Sequence, residues 1–220
     1  MKKNMKRVLA LALLVCLAEV LASSAKATTI TAGSTGSADV FTTSFGGTTT
    51  VGDTGVNPWS ALTFSGVDRT VVLSDPANVF CAGCLDFVFA VSNNSTSADS
   101  IQRISDTSFA GYSTDVGYTT GIATGCATNA IPDTVDRSLN AQVVGFNYIQ
   151  PHGVGQGQCT VALEIETNAT AFGHGSLQVI DGSVASVDSF APVPEPGTLV
   201  LFGSGLISLA GLVGRKIVRA

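Results

Sequence analysis

Between Lys26 and Arg215 the chain has no lysine, and its only arginines there are Arg69, Arg103 and Arg137. Fourteen acidic residues lie between Thr28 and Phe190, so this stretch carries a net charge of about −11 at neutral pH. Such a surface repels phosphate backbones and has no basic stripe to track one, which excludes nucleic acid as a partner. Aromatic residues are 7% of the chain with a single tryptophan, Trp59, so a ring-lined cleft is not strongly indicated. The two histidines, His152 and His174, sit among glycines and neither has a metal-ligating spacing. There is no Gly-x-Ser-x-Gly elbow, no phosphate loop and no EF-hand pattern. From Thr28 to Phe190 no stretch shows a helical period, and no βαβ alternation occurs. These absences lead us to expect a body without cofactor, without metal and without enzymatic activity.

Charge and hydropathy concentrate instead at the two ends. Lys2, Lys3, Lys6 and Arg7 precede an apolar run from Val8 to Leu21, interrupted only by Glu19, and a short polar stretch ends in Ala25-Lys26-Ala27. Basic segment, apolar segment and small residues at alternate positions form a secretory signal peptide over residues 1–27, with Ala25 and Ala27 setting cleavage after Ala27. The partners expected there are the secretion translocon and a signal peptidase. The apolar run is shorter than the roughly 20 residues that span a hydrocarbon core. Leu13-Leu14-Val15 before Cys16 lacks the small residues of a lipidation site, and no arginine pair precedes the run, which favours the general secretory route.

At the other end, Val193-Pro194-Glu195-Pro196-Gly197 is followed by an uncharged run from Thr198 to Gly214, then by Arg215, Lys216 and Arg219. About 17 residues at about 1.5 Å each reach some 26 Å, enough for a short transmembrane helix. Pro196 and Gly197 stop upstream structure from running into it. The basic cluster favours a cytoplasmic end, as does the N-terminal one, so the body between them is placed outside. Pro194, Glu195 and Pro196, the glycine-containing apolar run and Arg215-Lys216 together resemble the PEP-CTERM sorting signal of exosortase-dependent bacterial proteins. The resemblance covers about the last 28 residues, within a sorting segment of linker, apolar run and basic tail over residues 191–220. It implies recognition by an integral-membrane processing enzyme, transient anchoring in the inner membrane of a Gram-negative bacterium, and delivery to the cell surface or the extracellular polysaccharide matrix of a biofilm.

The body, residues 28–190, alternates with a period of two. In Thr160 to Glu166 the apolar Val161, Leu163 and Ile165 face one way, and Glu164 and Glu166 the other. Asp86 to Val91 puts Phe87, Phe89 and Val91 on one face, and Asn93-Asn94-Ser95 ends it with turn formers. Val143 to Tyr148, Leu177 to Ile180 and Val184 to Val187 read similarly, and Asp181-Gly182 between the last two is a hairpin signal. The expectation is an all-β body, an antiparallel β-sandwich or a jelly-roll-like fold.

Four cysteines remain after signal removal, and an even number in an oxidising compartment favours two disulfides. Three pairings exist; Cys81 with Cys84 and Cys126 with Cys159 is preferred, because the first two can meet in a turn. Cys81-Ala82-Gly83-Cys84 has the spacing of thiol oxidoreductases but lacks their βαβ setting. Glu164 and Glu166, about 6.8 Å apart along a strand, have the separation of a glycosidase pair, against which stands the simpler reading of solvated outward carboxylates. Asp133, Asp136 and Asp181 are loop carboxylates that calcium could use. The leading expectation is a non-enzymatic surface or matrix protein. The alternatives are a carbohydrate-binding module using Trp59, Tyr112, Tyr118 or Tyr148 as a stacking platform, and a matrix-polysaccharide hydrolase.

Overall fold

A computed structural model describes residues 29–41, 47–119, 126 and 129–193. The signal segment with Ala25 and Ala27 lies outside the described residues, as does the tail with Pro194, Glu195, Pro196, Arg215, Lys216 and Arg219. Among the described residues there is no helix, and so none long and apolar enough to cross a membrane. The body is all-β, as its period-two alternation requires.

Fifteen strands follow one another: β1 (Thr35–Gly36), β2 (Asp39–Val40), β3 (Thr49–Asp53), β4 (Asn57–Ser60), β5 (Ser65–Asp75), β6 (Cys84–Asn93), β7 (Arg103–Asp106), β8 (Thr114–Thr119), β9 (Asn129–Ala130), β10 (Thr134–Arg137), β11 (Val144–Asn147), β12 (Cys159–Thr160), β13 (Ala162–Thr167), β14 (Phe172–Asp181) and β15 (Ser183–Pro192). They form two sheets. The six-stranded one runs β1-β10-β11-β7-β14-β15, and the nine-stranded one runs β2-β8-β13-β6-β12-β9 with β5 beside β6 and β3 and β4 beside β5. The pairing is antiparallel except for two edge contacts of two residues each, β2 with β8 and β9 with β12. These parallel edges are a departure from the expected antiparallel order.

Alternation decides what each strand buries. Phe87, Phe89, Leu163, Ile165 and Val116 from the larger sheet and Ile104, Phe146, Leu177 and Val179 from the smaller one belong to a single hydrophobic core. Phe109 joins it edge-on to Phe87 at 5.6 Å. β14 and β15 form the hairpin signalled by Asp181-Gly182; the chain reverses at Gly182, whose φ of 61° suits a residue without a Cβ. Gly66 is required for a different reason. A Cβ there would lie 1.8 Å from the Ser92 carbonyl oxygen and 2.6 Å from Cζ2 of Trp59, so only glycine lets the indole cross β5.

Arg137, at the end of β10, is buried at 6% exposure and spends its guanidinium on backbone carbonyls. It donates to Phe109 (2.9 Å), Tyr112 (2.7 Å), Ala141 (3.2 Å) and Ile30 (3.3 Å). One cation thereby ties the N-terminal segment and two loops to the smaller sheet. Cys81 is bonded to Cys84 and Cys126 to Cys159, the preferred pairing.

Candidate functional site

A cleft lies at the end of the strands where four loops meet. It measures about 540 Å³ and is lined by Leu62 and Thr63 from the β4–β5 turn, Asp99, Ser100 and Gln102 before β7, Gln150 and Gln156 before β12, and Asp181 and Ser183 from the β14–β15 hairpin. Gln150 Nε2 donates to Ser100 Oγ at 3.3 Å and Gln156 Nε2 to the Ala98 carbonyl at 3.2 Å, which fixes the amides along the rim. Partial burial raises the Asp181 carboxyl, and the Asp99 charge raises it further. The lining thus offers carboxylates, carboxamides and hydroxyls without a cation or an aromatic ring, a set suited to hydrogen-bonding a neutral polyhydroxyl ligand.

A smaller cleft of about 410 Å³ contains Asp133 and His152. His152 Nδ1 lies 2.8 Å from Asp133 Oδ1, and the other Asp133 oxygen accepts from the Ile149 amide at 2.6 Å. Among the described lining residues no hydroxyl or thiol nucleophile completes a triad there. His174 is exposed on β14.

The residues singled out in the sequence meet different fates. Glu164 and Glu166 do share the outer face of β13, but they are not solvated: their exposures are 1% and 4%. This corrects the expectation. A substrate would first have to reach carboxyls that the fold has covered. Alternation shows which face a residue takes, and says nothing of what lies over that face. β3, which among the described residues pairs with β5, is exposed at Thr49 and Thr50. The proposed stacking platform is also corrected for three of its four members. Trp59, Tyr118 and Tyr148 are buried, Trp59 packing edge-on against Phe64 at 5.5 Å, because their alternation places them on the core side. Of the carboxylates expected in loops, two lie on strands instead: Asp136 is within β10, held by Arg103 and Asn147, and Asp181 ends β14 and borders the large cleft, while Asp133 is held by His152. Among the described residues no group of three His, Cys, Asp or Glu side chains is arranged to hold a metal ion.

Sequence reasoning missed the buried acids Asp68, Asp86 and Asp106, which are exposed by 1% or less. One signal was available. Val71-Val72-Leu73 on β5 and Phe87-Val88-Phe89 on β6 are apolar on both faces, the pattern of strands covered on both sides.

β15 ends at Pro192, and the tail begins where the sheet stops. Residues 192–217 match the family model of the PEP-CTERM protein-sorting motif. The chain carries that motif at its C-terminus. The match supports export and exosortase-dependent sorting in a bacterium, with passage through the membrane. No curated protein and no solved structure matches the chain. The PEP-CTERM motif thus accounts for the tail, and the chemistry of the body rests on its own geometry.

Proposed function

We propose that this chain is a non-enzymatic protein of the cell surface or extracellular matrix of a Gram-negative bacterium, displayed after its tail is processed. The observation that carries the reading is the sorting motif placed directly after the last strand of an acidic, all-β body. The shared core of two sheets supports a β-sandwich, a rigid form suited to display outside the cell. The two disulfides suit an oxidising compartment. In this reading the signal peptide delivers the chain to the translocon. The Thr198–Gly214 helix then holds it in the inner membrane with Arg215, Lys216 and Arg219 in the cytoplasm, and an exosortase-type enzyme acts near Pro194-Glu195-Pro196. Deleting that enzyme is expected to leave a larger, membrane-bound form; an unchanged mature species in an unchanged location would rule the reading out.

A second reading, recognition of matrix polysaccharide, draws support from the loop-end cleft. With the rings of Trp59, Tyr118 and Tyr148 buried, recognition there is by hydrogen bonds from Asp99, Gln102, Gln150 and Asp181 rather than by stacking. A glycan array probed with the exported protein should give binding that Asp99→Asn with Asp181→Asn weakens. Signal that survives this double substitution unaltered would place binding elsewhere.

A further inference from the structure

Each sheet has an open edge on the same side of the body. Among the described residues β4 pairs with β5 in the larger sheet and β15 with β14 in the smaller one. Between these two edges lies a cleft of about 450 Å³, lined by β4 from Asn57 to Ser60 and by Ser186 to Asp188 of β15. It shares no lining residue with the loop-end cleft.

The register places two open polar groups behind this cleft. Asn57 stands opposite Asp68 and Trp59 opposite Gly66, and opposed residues of an antiparallel pair point the same way, so Asn57, Trp59 and Asp68 share one face. The indole crosses β5 at Gly66, two residues from Asp68. Asp68 is 1% exposed, and neither of its oxygens has a hydrogen-bond partner. Nε1 of Trp59, a residue 6% exposed, has none either. Buried polar groups are nearly always hydrogen-bonded, so a donor and a carboxyl left open together mark a place where a bound molecule supplies the partners. Asn57 lines the cleft opposite Asp68, and no hydrogen bond to a described residue holds its side chain, which can turn aside to admit a ligand to the carboxyl.

Charge narrows the choice of molecule. Among the described residues the cations are engaged elsewhere: Arg69 with Asp53, Arg103 with Asp136, Arg137 with carbonyls and His152 with Asp133, while His174 lies beside Phe190. The charge acting on Asp68 is that of Asp188 in the cleft wall; burial pushes the Asp68 carboxyl up to about 7, and Asp188 adds to the rise. Two carboxyls without a counter-charge call for a cation. The indole N–H, which donates only, calls for an acceptor as well. A metal ion or a simple alkylammonium meets the first need and leaves the second open. An amino sugar meets both, since it carries an ammonium and a hydroxyl on adjacent carbons.

We propose that the β4–β15 cleft binds an amino sugar bearing a free amine, its ammonium held by Asp68 and Asp188 and its neighbouring hydroxyl oxygen accepting from Trp59 Nε1. Asn57, Ser60 and Ser186 are placed to bond the remaining hydroxyls. The site is separate from the loop-end cleft, whose lining suits a neutral ligand, and does not depend on that cleft binding anything. A buried acid without a partner works against folding once it is ionised, and a ligand that pairs it removes that penalty.

Trp59 is the single tryptophan of the chain, so its fluorescence reports on this cleft. The test titrates the exported protein near neutral pH with a glucosamine tetrasaccharide, with its N-acetylated counterpart and with tetralysine. The free-amine sugar should give a saturable change in Trp59 emission, and the N-acetylated sugar should bind at least ~10-fold more weakly. Asp68→Asn should weaken binding of the free-amine sugar by at least ~10-fold while thermal unfolding shows the variant folded, and Asp188→Asn, at an exposed position, should weaken it too. No saturable change with the free-amine sugar would overturn the proposal. So would an equal response to the N-acetylated sugar, or to tetralysine, since the acidic body would then be gathering any polycation. Binding lost in Asp99→Asn with Asp181→Asn but kept in Asp68→Asn would also overturn it, by placing the ligand in the loop-end cleft.

Discussion

Replacing Arg137 with methionine should destabilise the fold by about 3–5 kcal/mol. The guanidinium satisfies four carbonyls from three segments, and hydrogen bonds from a charged donor contribute roughly 1.5–3 kcal/mol each. Two of those carbonyls keep a partner when it is gone: the Tyr112 amide remains on Phe109, and Thr114 Oγ1 remains on Ile30 at 3.4 Å. The loss at Phe109 and Ile30 is correspondingly smaller. Against it stands the desolvation of the arginine itself, visible as a lowered pKa caused by burial, which methionine would avoid. Urea denaturation with both disulfides intact measures the difference through the midpoint at constant slope. Arg137→Lys should recover less than half of the loss, because one ammonium cannot span four diverging acceptors. A methionine variant within about 1 kcal/mol of the parent would refute the view that this cation ties the loops to the sheet.

Gly66→Ala should cost more than about 3 kcal/mol, since the new methyl would meet the Ser92 backbone and the Trp59 ring, neither able to retreat; thermal unfolding would show it. Removing the Cys126–Cys159 bond by a double serine substitution should lower stability by roughly 3 to 4 kcal/mol from the chain entropy of its 33-residue separation, and removing Cys81–Cys84 by less, a ranking that paired denaturation curves decide. Asp68 is buried with neither oxygen partnered, and burial raises its carboxyl to about 7, so it favours folding at acid pH and works against it above. Asp68→Asn should accordingly stabilise the protein at pH 8 by no more than ~2 kcal/mol, since the amide that replaces the carboxyl is itself buried, and leave stability at pH 4 nearly unchanged.

Where one residue's environment follows from its immediate neighbours, the sequence was a sufficient guide. Phe87, Phe89 and Val91 fall at alternate positions and do face the core, and Asp181-Gly182 does turn a hairpin. The sorting motif was legible because its residues lie together in one short stretch of sequence. Long-range pairing was less accessible. Nothing local in Asp39-Val40 or Cys159-Thr160 announces the parallel contacts with β8 and β9, which are set by chain segments far away. The acids of the outer face were misread for a related reason. Glu164 and Glu166 are charged and outward, and only the course of the loop from Pro76 to Gly83 and the rest of the covering structure determines that outward here means buried. Trp59, Tyr118 and Tyr148 illustrate the converse, since a ring that could serve a ligand also fills a core.

The account rests on the body leaving the cytoplasm and its tail being cut, and intact mass of the mature protein, recovered by cell fractionation, examines both together. The predicted species lies outside the cytoplasm, lacks residues 1–27 and the segment beyond the Pro-Glu-Pro motif, and has all four remaining cysteines oxidised. A full-length chain in the cytosol with free thiols at Cys81, Cys84, Cys126 and Cys159 would contradict it.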